Sequence, residues 1–430
     1  MRILLVLNKP NREIAIMESI KREILSLDPT ARVEIWEMCT PIFNKIVLKF
    51  KPDVILTFPF SCTGFATWYY LFKRRFNCRI LSLRAEGVVD FSTDYMVQWA
   101  IGFDHYGKQL VDYEIFWGSQ VGEAIGQNLI KQGKLSSMER VKIFGYPRLE
   151  SYFADSDLSK LRQLSGRIAE RIDKYSKNNI IFFATGFHFA NYSRQDLFDA
   201  KDLDAENRIE MLLEGVETSK RYRQNWIDSI IRAAVQNPEF LIIVKKHPIE
   251  KVENYAIFTD IPNILYIYED IDIQHIMPFV GLFFHYGSTA LVDSYLSKVP
   301  SVYVYSLNNK AWYSDMSWPS SRKTEVSQIP ELVREFAATG IPFTMTQEIR
   351  AILKNVFNIE DETPYNPSRK IAELILQNDP AQTIPLTDVY FWKSMASVII
   401  SSIITTTGRV IKRVLRMDPN ASLLKNRGSR

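Results

Sequence analysis

Leu241-Ile242-Ile243-Val244-Lys245-Lys246-His247-Pro248 runs from four apolar residues straight into two lysines, a histidine and a proline. An uninterrupted apolar run of this length suits a parallel strand covered by helices on both faces, where strict alternation would be needed for a sheet half open to water. The abrupt change of chemistry marks the strand's carboxyl end, which is where open α/β sheets bind their ligands. Lys245, Lys246 and His247 supply donors for a phosphate or carboxylate there, and Pro248 fixes the turn that aims them. The ordinary alternative is a solvated basic loop.

The same grammar extends in both directions. Ahead of it lie Ile180–Ala184; beyond it lie Ile264–Tyr268, Gly281–Phe284 and Ser301–Val304. A first series occupies Ile3–Leu7, Val33–Trp36, Val54–Phe58, Arg79–Leu83, Ile115–Trp117 and Val141–Phe144, with a helical period in Ile14, Met17, Ile20 and Ile24 between the first two. Repeated strand–helix alternation predicts α/β architecture with two doubly wound, Rossmann-like sheets. Residues 151–178 are mostly polar, with Asp155-Ser156-Asp157 as a helix start and 174–179 as a break. The expected division is a first domain over 1–160, a second over 175–365, a returning helix and linker over 366–385, and a tail over 386–430. The cleft between the two domains is the default ligand site.

Three further strand exits carry unusual residues. Arg84-Ala85-Glu86-Gly87 places a carboxylate at a rim where a general base or nucleophile belongs, the plain alternative being a surface Glu86 paired with Arg84. Phe283-Phe284-His285-Tyr286-Gly287-Ser288-Thr289 ends in a glycine and two hydroxyls that open a helix, an anion site or a simple cap. Thr185-Gly186-Phe187-His188-Phe189-Ala190-Asn191 offers His188 and Asn191 to a sugar or phosphate, or to packing. Asp270-Ile271-Asp272 has metal–diphosphate spacing but precedes an apparent helix over 273–279 and reads as its cap. No dinucleotide fingerprint, Walker loop or hydrolase elbow occurs.

Composition excludes several classes. Of 53 Lys+Arg and 49 Asp+Glu, seven basic residues and one acid fall in 409–430, a net of +6, which leaves 46 against 48, a net of −2, for 1–408. That distribution excludes a uniformly basic nucleic-acid-binding body, so no nucleic acid is expected as partner. Three cysteines, Cys39, Cys62 and Cys78, form no disulfide framework and no paired metal-ligand spacing. No cofactor and no metal are expected. The apolar run at 3–7 is too short for a signal peptide, so a cytoplasmic setting is expected. Residues 394–408 are fifteen uncharged residues, short of the roughly 20 that span a bilayer. Followed by Arg409, Lys412, Arg413 and Arg416, they suit an interfacial helix on an anionic membrane surface, or a helix packed on the body.

Taken in order, Arg84-Ala85-Glu86-Gly87, Tyr113-Glu114-Ile115-Phe116-Trp117-Gly118 with Glu123-Ala124-Ile125, Phe144-Gly145-Tyr146-Pro147-Arg148, Thr185–Asn191, Lys245–Pro248 and Gly287-Ser288-Thr289 resemble a bacterial family of surface carbohydrate biosynthesis proteins with the GT-B glycosyltransferase fold. The resemblance covers about residues 50–305. The acid-Gly, His-Pro and Ser-Thr trio is also similar to that of GT-B transferases using CMP-activated acidic sugars of the sialic acid and Kdo type. By that resemblance Glu86 is the catalytic carboxylate, and His247, Ser288 and Thr289 hold the CMP phosphate, with Lys245, Lys246, Pro248, Gly287, His188 and Asn191 in the donor site. Where two acids are usual, this chain has Ala85-Glu86, so Asp90 and Asp94 are the candidates for a second carboxylate; Tyr146 also departs from the usual residue before Pro147.

The implied function is metal-independent transfer of an acidic sugar from a CMP donor to a surface-glycan or lipid-linked glycan acceptor. CMP leaves as a phosphomonoester anion, whose growing charge a cationic or dipolar pocket stabilises. The alternatives are a UDP- or GDP-sugar GT-B transferase, an inactive glycan-assembly scaffold, or a polyol-phosphate transferase of the teichoic-acid type. The last would need a second catalytic histidine, for which His105 or His188 is available.

Overall fold

The computed structural model describes residues 1–8, 10–38, 43–59, 63–84, 108–154, 164, 166–193, 205–248, 250–269, 271–305, 318–360 and 363–384. Two compact units divide them: the described parts of 1–147 together with 366–384 form the first, and those of 148–365 the second.

In the first unit the apolar runs become β1 (Arg2–Leu7), β2 (Arg32–Glu37), β3 (Val54–Thr57), β4 (Arg79–Leu83), β5 (Tyr113–Phe116) and β6 (Val141–Ile143). All pair in parallel, in the order β2-β1-β3-β4-β5-β6. Alternate residues feed opposite faces, as the strand period of two requires. Leu5, Leu56, Leu81 and Ile115 pack on one face, with Met17 and Ile20 of helix Pro10–Leu27 and Ile371 and Ile375 of helix Pro367–Leu376. Leu4, Val6, Ile55 and Ile80 pack on the other, against Tyr69, Tyr70 and Phe72. Each such side chain removed from water contributes roughly 1.5–3 kcal/mol.

Two buried cations tie the returning chain to this sheet. Arg79 donates from Nη2 to the carbonyl of Ile375 (2.5 Å) and from Nη1 to that of Leu374 (3.3 Å), satisfying orphan carbonyls at a helix C-terminus. Lys73 Nζ donates to Asp112 Oδ2 (2.5 Å) and the Leu110 carbonyl (2.9 Å). The same carboxylate accepts from the backbone N–H groups of Ile80 (2.7 Å) and Gln382 (2.5 Å).

The second unit builds β7 (Ile180–Ala184), β8 (Leu241–Lys245), β9 (Ile264–Ile267), β10 (Leu282–His285), β11 (Ser301–Tyr305) and β12 (Arg322–Glu325). They are again all parallel, ordered β12-β11-β10-β7-β8-β9. One face packs Phe183, Val244 and Phe284 on Tyr222 and Trp226 of the long helix Ala205–Gln236; the other packs Phe182, Ile243 and Phe283 on Ile168 and Met277. Strand β12 has no counterpart in the sequence reading. It is a polar edge strand, Arg-Lys-Thr-Glu, with only Thr324 buried, and so carries no apolar run.

These two parallel, helix-covered sheets are the two Rossmann-like domains of a GT-B fold. No helix among the described residues is long and apolar enough to cross a membrane. The tail at 386–430 and the helix start at 155–157 lie outside the described residues.

Removing one partner of a buried ion pair leaves the other charge uncompensated, which costs about 3–5 kcal/mol. Lys73→Met is therefore expected to destabilise the first domain by roughly 3 kcal/mol, read from the denaturant midpoint of its unfolding; a change below about 1 kcal/mol would contradict the role given to this pair.

Candidate functional site

Numbered from β7, the second sheet has the order 6-5-4-1-2-3, and its strand order reverses between β7 and β10. Connections leave these two neighbours in opposite directions, so the carboxyl ends of β7 and β10 open onto a crevice at the topological switch point. Strand β8 lies on the other side of β7. The exits of β10, β7 and β8 therefore stand side by side. They carry Tyr286-Gly287-Ser288-Thr289, Thr185-Gly186-Phe187 and Lys246-His247-Pro248 respectively.

The β7 and β8 exits are held together by Glu250, which is 3% exposed. Its Oε1 accepts from the Phe187 backbone N–H (2.9 Å) and the Tyr255 hydroxyl (2.5 Å). Its Oε2 accepts from the His247 N–H (3.1 Å) and the Thr185 hydroxyl. Thr185 Oγ1 in turn accepts from the His247 N–H (2.9 Å). Four donors on one carboxylate offset the cost of burying its charge. Burial, reinforced by the Glu250 charge, pushes the Tyr255 phenol far above its ordinary value, so it remains a donor.

The β10 exit is braced differently. His285 is fully buried, and desolvation pushes its imidazole down to about 3. Its Nδ1 accepts from the Gly287 N–H (3.2 Å), which assigns the proton to Nε2, 3.1 Å from Ser320 Oγ. Gly287 has φ +106°, a region open essentially to glycine alone. Tyr286 reaches across the switch point: its hydroxyl donates to the Gly186 carbonyl and its ring stacks on Phe187 at 4.5 Å. A Cβ on Gly186 would stand 2.8 Å from that hydroxyl, so the close approach requires glycine.

The structure thus groups most of the sequence-predicted donor residues at one sheet end, with changes of role. Lys245 is the last residue of β8 and buried; it is not in the loop. Lys246 is partly exposed, and among the described residues its Nζ makes only long contacts, 3.4 Å to the carbonyls of His247 and Pro248. His247 is partly exposed and Pro248 exposed. The helix after Ser288-Thr289 starts only at Leu291 and ends at Leu296; Ser288 Oγ accepts from the Ala290 N–H (3.2 Å) in a local turn, while Thr289 is exposed. That short helix is anchored by Asp293, which accepts from Arg148 Nη2 (2.9 Å) and the Tyr152 hydroxyl (2.6 Å). Arg148 also forks onto Asp272 (Nε to Oδ2, 2.8 Å). Asp272 caps the 3-10 turn Ile273–His275, as its spacing implied; a second such turn, Met277–Phe279, follows where one helix over 273–279 was expected.

Asn191 closes the 3-10 turn His188–Asn191 after β7. Its Oδ1 accepts from Arg223 Nη1 (2.9 Å) and Asn254 Nδ2 (2.9 Å), and its own Nδ2 is enclosed with no partner among the described residues. The His188 side chain lies outside the described residues, as do Glu86, Asp90, Asp94 and His105. Two residues before Glu86 in the sequence, Arg84 is buried and donates from Nε to Glu114 Oε2 (3.1 Å) on β5.

Glu250, His285 and Arg223 were not singled out in the sequence reading. A carboxylate two residues past a strand-exit proline was the available signal for Glu250. For Arg223, in the middle of a charged helix, there was none.

No family model matches the chain, and no curated protein sequence matches it. Among solved structures, the UDP-GlcNAc 2-epimerase of Neisseria meningitidis bound to UDP-GlcNAc has a TM-score of 0.50 at 13% identity, covering 88% of this chain and 100% of that one. The wall teichoic acid polymerase TagF gives 0.52 at 10% identity, over 87% and 88%. Its histidine-to-asparagine variant soaked with CDPG gives 0.52 at 12%, over 87% of both chains. At these identities the likeness is one of fold.

Two outcomes follow from this geometry. Glu250→Gln turns an amide N–H₂ toward donors, and is expected to lower the second domain's stability by about 2–3 kcal/mol in urea unfolding; an unchanged midpoint would remove the bracing role. His285 has its folded pKa below the unfolded value near 6.5, so the unfolded state takes up the proton first and stability falls as the pH drops from about 6.5 toward 3. Between pH 7 and pH 5 this one group is expected to cost about 2 kcal/mol, a loss that His285→Asn should not show. Equal acid sensitivity in both proteins would contradict it.

Proposed function

We propose that this chain is a GT-B glycosyltransferase of bacterial surface-glycan assembly that moves an acidic sugar from a CMP-activated donor to a glycan acceptor. The observation that carries this reading is the juxtaposition, at the switch point of one parallel sheet, of the Lys246-His247-Pro248 and Gly287-Ser288-Thr289 loops. A nucleotide phosphate set there meets an ammonium and an imidazole from one side. Two hydroxyls and a glycine without a side chain face it from the other. The bracing by Glu250 and His285 holds these groups before a ligand arrives, so little reorganisation is needed as charge develops on the leaving phosphate.

In the proposed reaction the acceptor hydroxyl oxygen bonds to the anomeric carbon while the bond from that carbon to the CMP phosphate oxygen breaks. Glu86 accepts the hydroxyl proton, and CMP departs as a phosphomonoester anion toward Lys246 and His247. The solved structures that share the fold include proteins bound to UDP-GlcNAc or soaked with CDPG, which supports an activated nucleotide as donor.

The likeness to TagF favours a second reading, transfer of a polyol phosphate from a CDP-linked donor. His285 is unsuited to a catalytic place in that reaction, since it is buried with both ring nitrogens engaged. The histidines available to it are His247 with His188 or His105.

A thermal-shift panel of CMP, CDP, UDP, GDP and ADP tests the donor class. A ligand at a hundred times its Kd stabilises by about 2.7 kcal/mol, and CMP is expected to give the largest shift. Preference for GDP, UDP or ADP, or no shift with any nucleotide, would contradict the proposal; a larger shift with CDP would favour the second reading. Glu86→Gln is expected to keep the CMP shift and lower transfer at least about 100-fold. Normal turnover in that variant would remove Glu86 from the chemistry.

A further inference from the structure

The Asn191, Arg223 and Asn254 side chains form a cluster with more donors than acceptors, the acceptors being the two amide oxygens. Arg223 and Asn254 both spend an N–H on the same atom, Asn191 Oδ1, each at 2.9 Å. A guanidinium has five N–H donors and each amide two, so most of the cluster's donor capacity remains unspent. Asn191 Nδ2 is enclosed and has no partner among the described residues. Nor does any described carboxylate form an ion pair with Arg223, although this side chain is partly buried. A partly desolvated cation whose partner here is a neutral amide oxygen keeps its charge for something else.

The cluster is continuous with the strand exits. Asn191 ends the turn that starts one residue after Phe187, whose N–H is held by Glu250. Asn254 precedes Tyr255, a second Glu250 donor, and Arg223 follows Tyr222, whose ring packs edge-on against Phe187 at 5.4 Å and Tyr286 at 5.7 Å. The guanidinium is close enough to Tyr255 for its charge to oppose the upward push on that phenol.

We propose that Arg223, positioned by Asn191 and Asn254, is an oxyanion subsite of the donor site. It takes the anionic group that a donor carries beyond its first phosphate, whether a carboxylate on the sugar or a second phosphate. A planar guanidinium matches both groups, since each presents two oxygens to a bidentate fork. This assignment rests on the reading of the neighbouring strand exits as a nucleotide-phosphate site.

The test is isothermal titration of wild type, Arg223→Gln and Arg223→Lys with CMP, CDP, a CMP-activated sugar acid and inorganic pyrophosphate. Arg223→Gln keeps a donor for Asn191, and Arg223→Lys keeps the charge while losing the fork. The expected result is a loss of at least about tenfold for CDP or for the sugar acid in Arg223→Gln, part of it regained in Arg223→Lys, with CMP affinity within about twofold of wild type. Loss confined to CDP identifies a second phosphate as the occupant; loss confined to the sugar acid identifies the carboxylate. No loss with either, or an equal loss with CMP, overturns the assignment. Should wild type bind no nucleotide, the functional reading fails and pyrophosphate decides the subsite separately. Weaker pyrophosphate binding in Arg223→Gln upholds it, while unchanged or absent pyrophosphate binding overturns it.

Discussion

The carboxylate of Glu250 accepts from two backbone N–H groups and two hydroxyls that come from the exits of β7 and β8 and from the turn beyond them. A buried charge this well solvated by the protein holds its donors in one arrangement, because releasing any of them strips a charge-assisted hydrogen bond from an anion that water does not reach. The position of the His247 loop relative to the Thr185-Gly186-Phe187 loop follows from it. Through Phe187, on which Tyr286 stacks, the constraint reaches the Gly287 loop as well. His285 completes the frame from beneath by holding the Gly287 N–H.

This frame is useful only because of where the sheet puts it. In a parallel sheet all carboxyl ends lie at one edge, and reversal of the strand order between β7 and β10 opens that edge to a ligand. The apolar runs that specify the strands therefore also specify where the candidate site lies. Phe182 and Phe183 illustrate the point: they face opposite sides of β7, each in a different core, and two residues later the chain is already at the site.

Much of the fold was legible because a doubly buried strand announces itself as an apolar run whatever its context. Eleven strands follow runs visible in the sequence, with ends displaced by a residue or two. Arg322–Glu325 was not legible, since an edge strand needs only one buried side chain and its pairing with β11 is a tertiary fact. The candidate site was legible as a set of strand exits and less so in the placement of each side chain. Lys246, His247 and Gly287 stand out by composition at strand exits. That Lys245 is strand, that Ser288 serves its own turn, or that His285 is buried scaffold depends on contacts between distant segments. Glu250 and Arg223 are ordinary charged residues in the sequence, and only the folded neighbourhood makes one a brace and the other a cation with no carboxylate partner among the described residues.

We propose the carboxyl end of the second sheet as a preorganised nucleotide-phosphate site. Amide hydrogen exchange with and without saturating CMP tests it most directly, because protection reports local opening segment by segment. The expected result is slowed exchange in peptides covering 185–191, 245–250 and 286–292, with the β12 edge at 322–325 unchanged. Protection confined to other segments, or exchange identical with and without CMP, would contradict it.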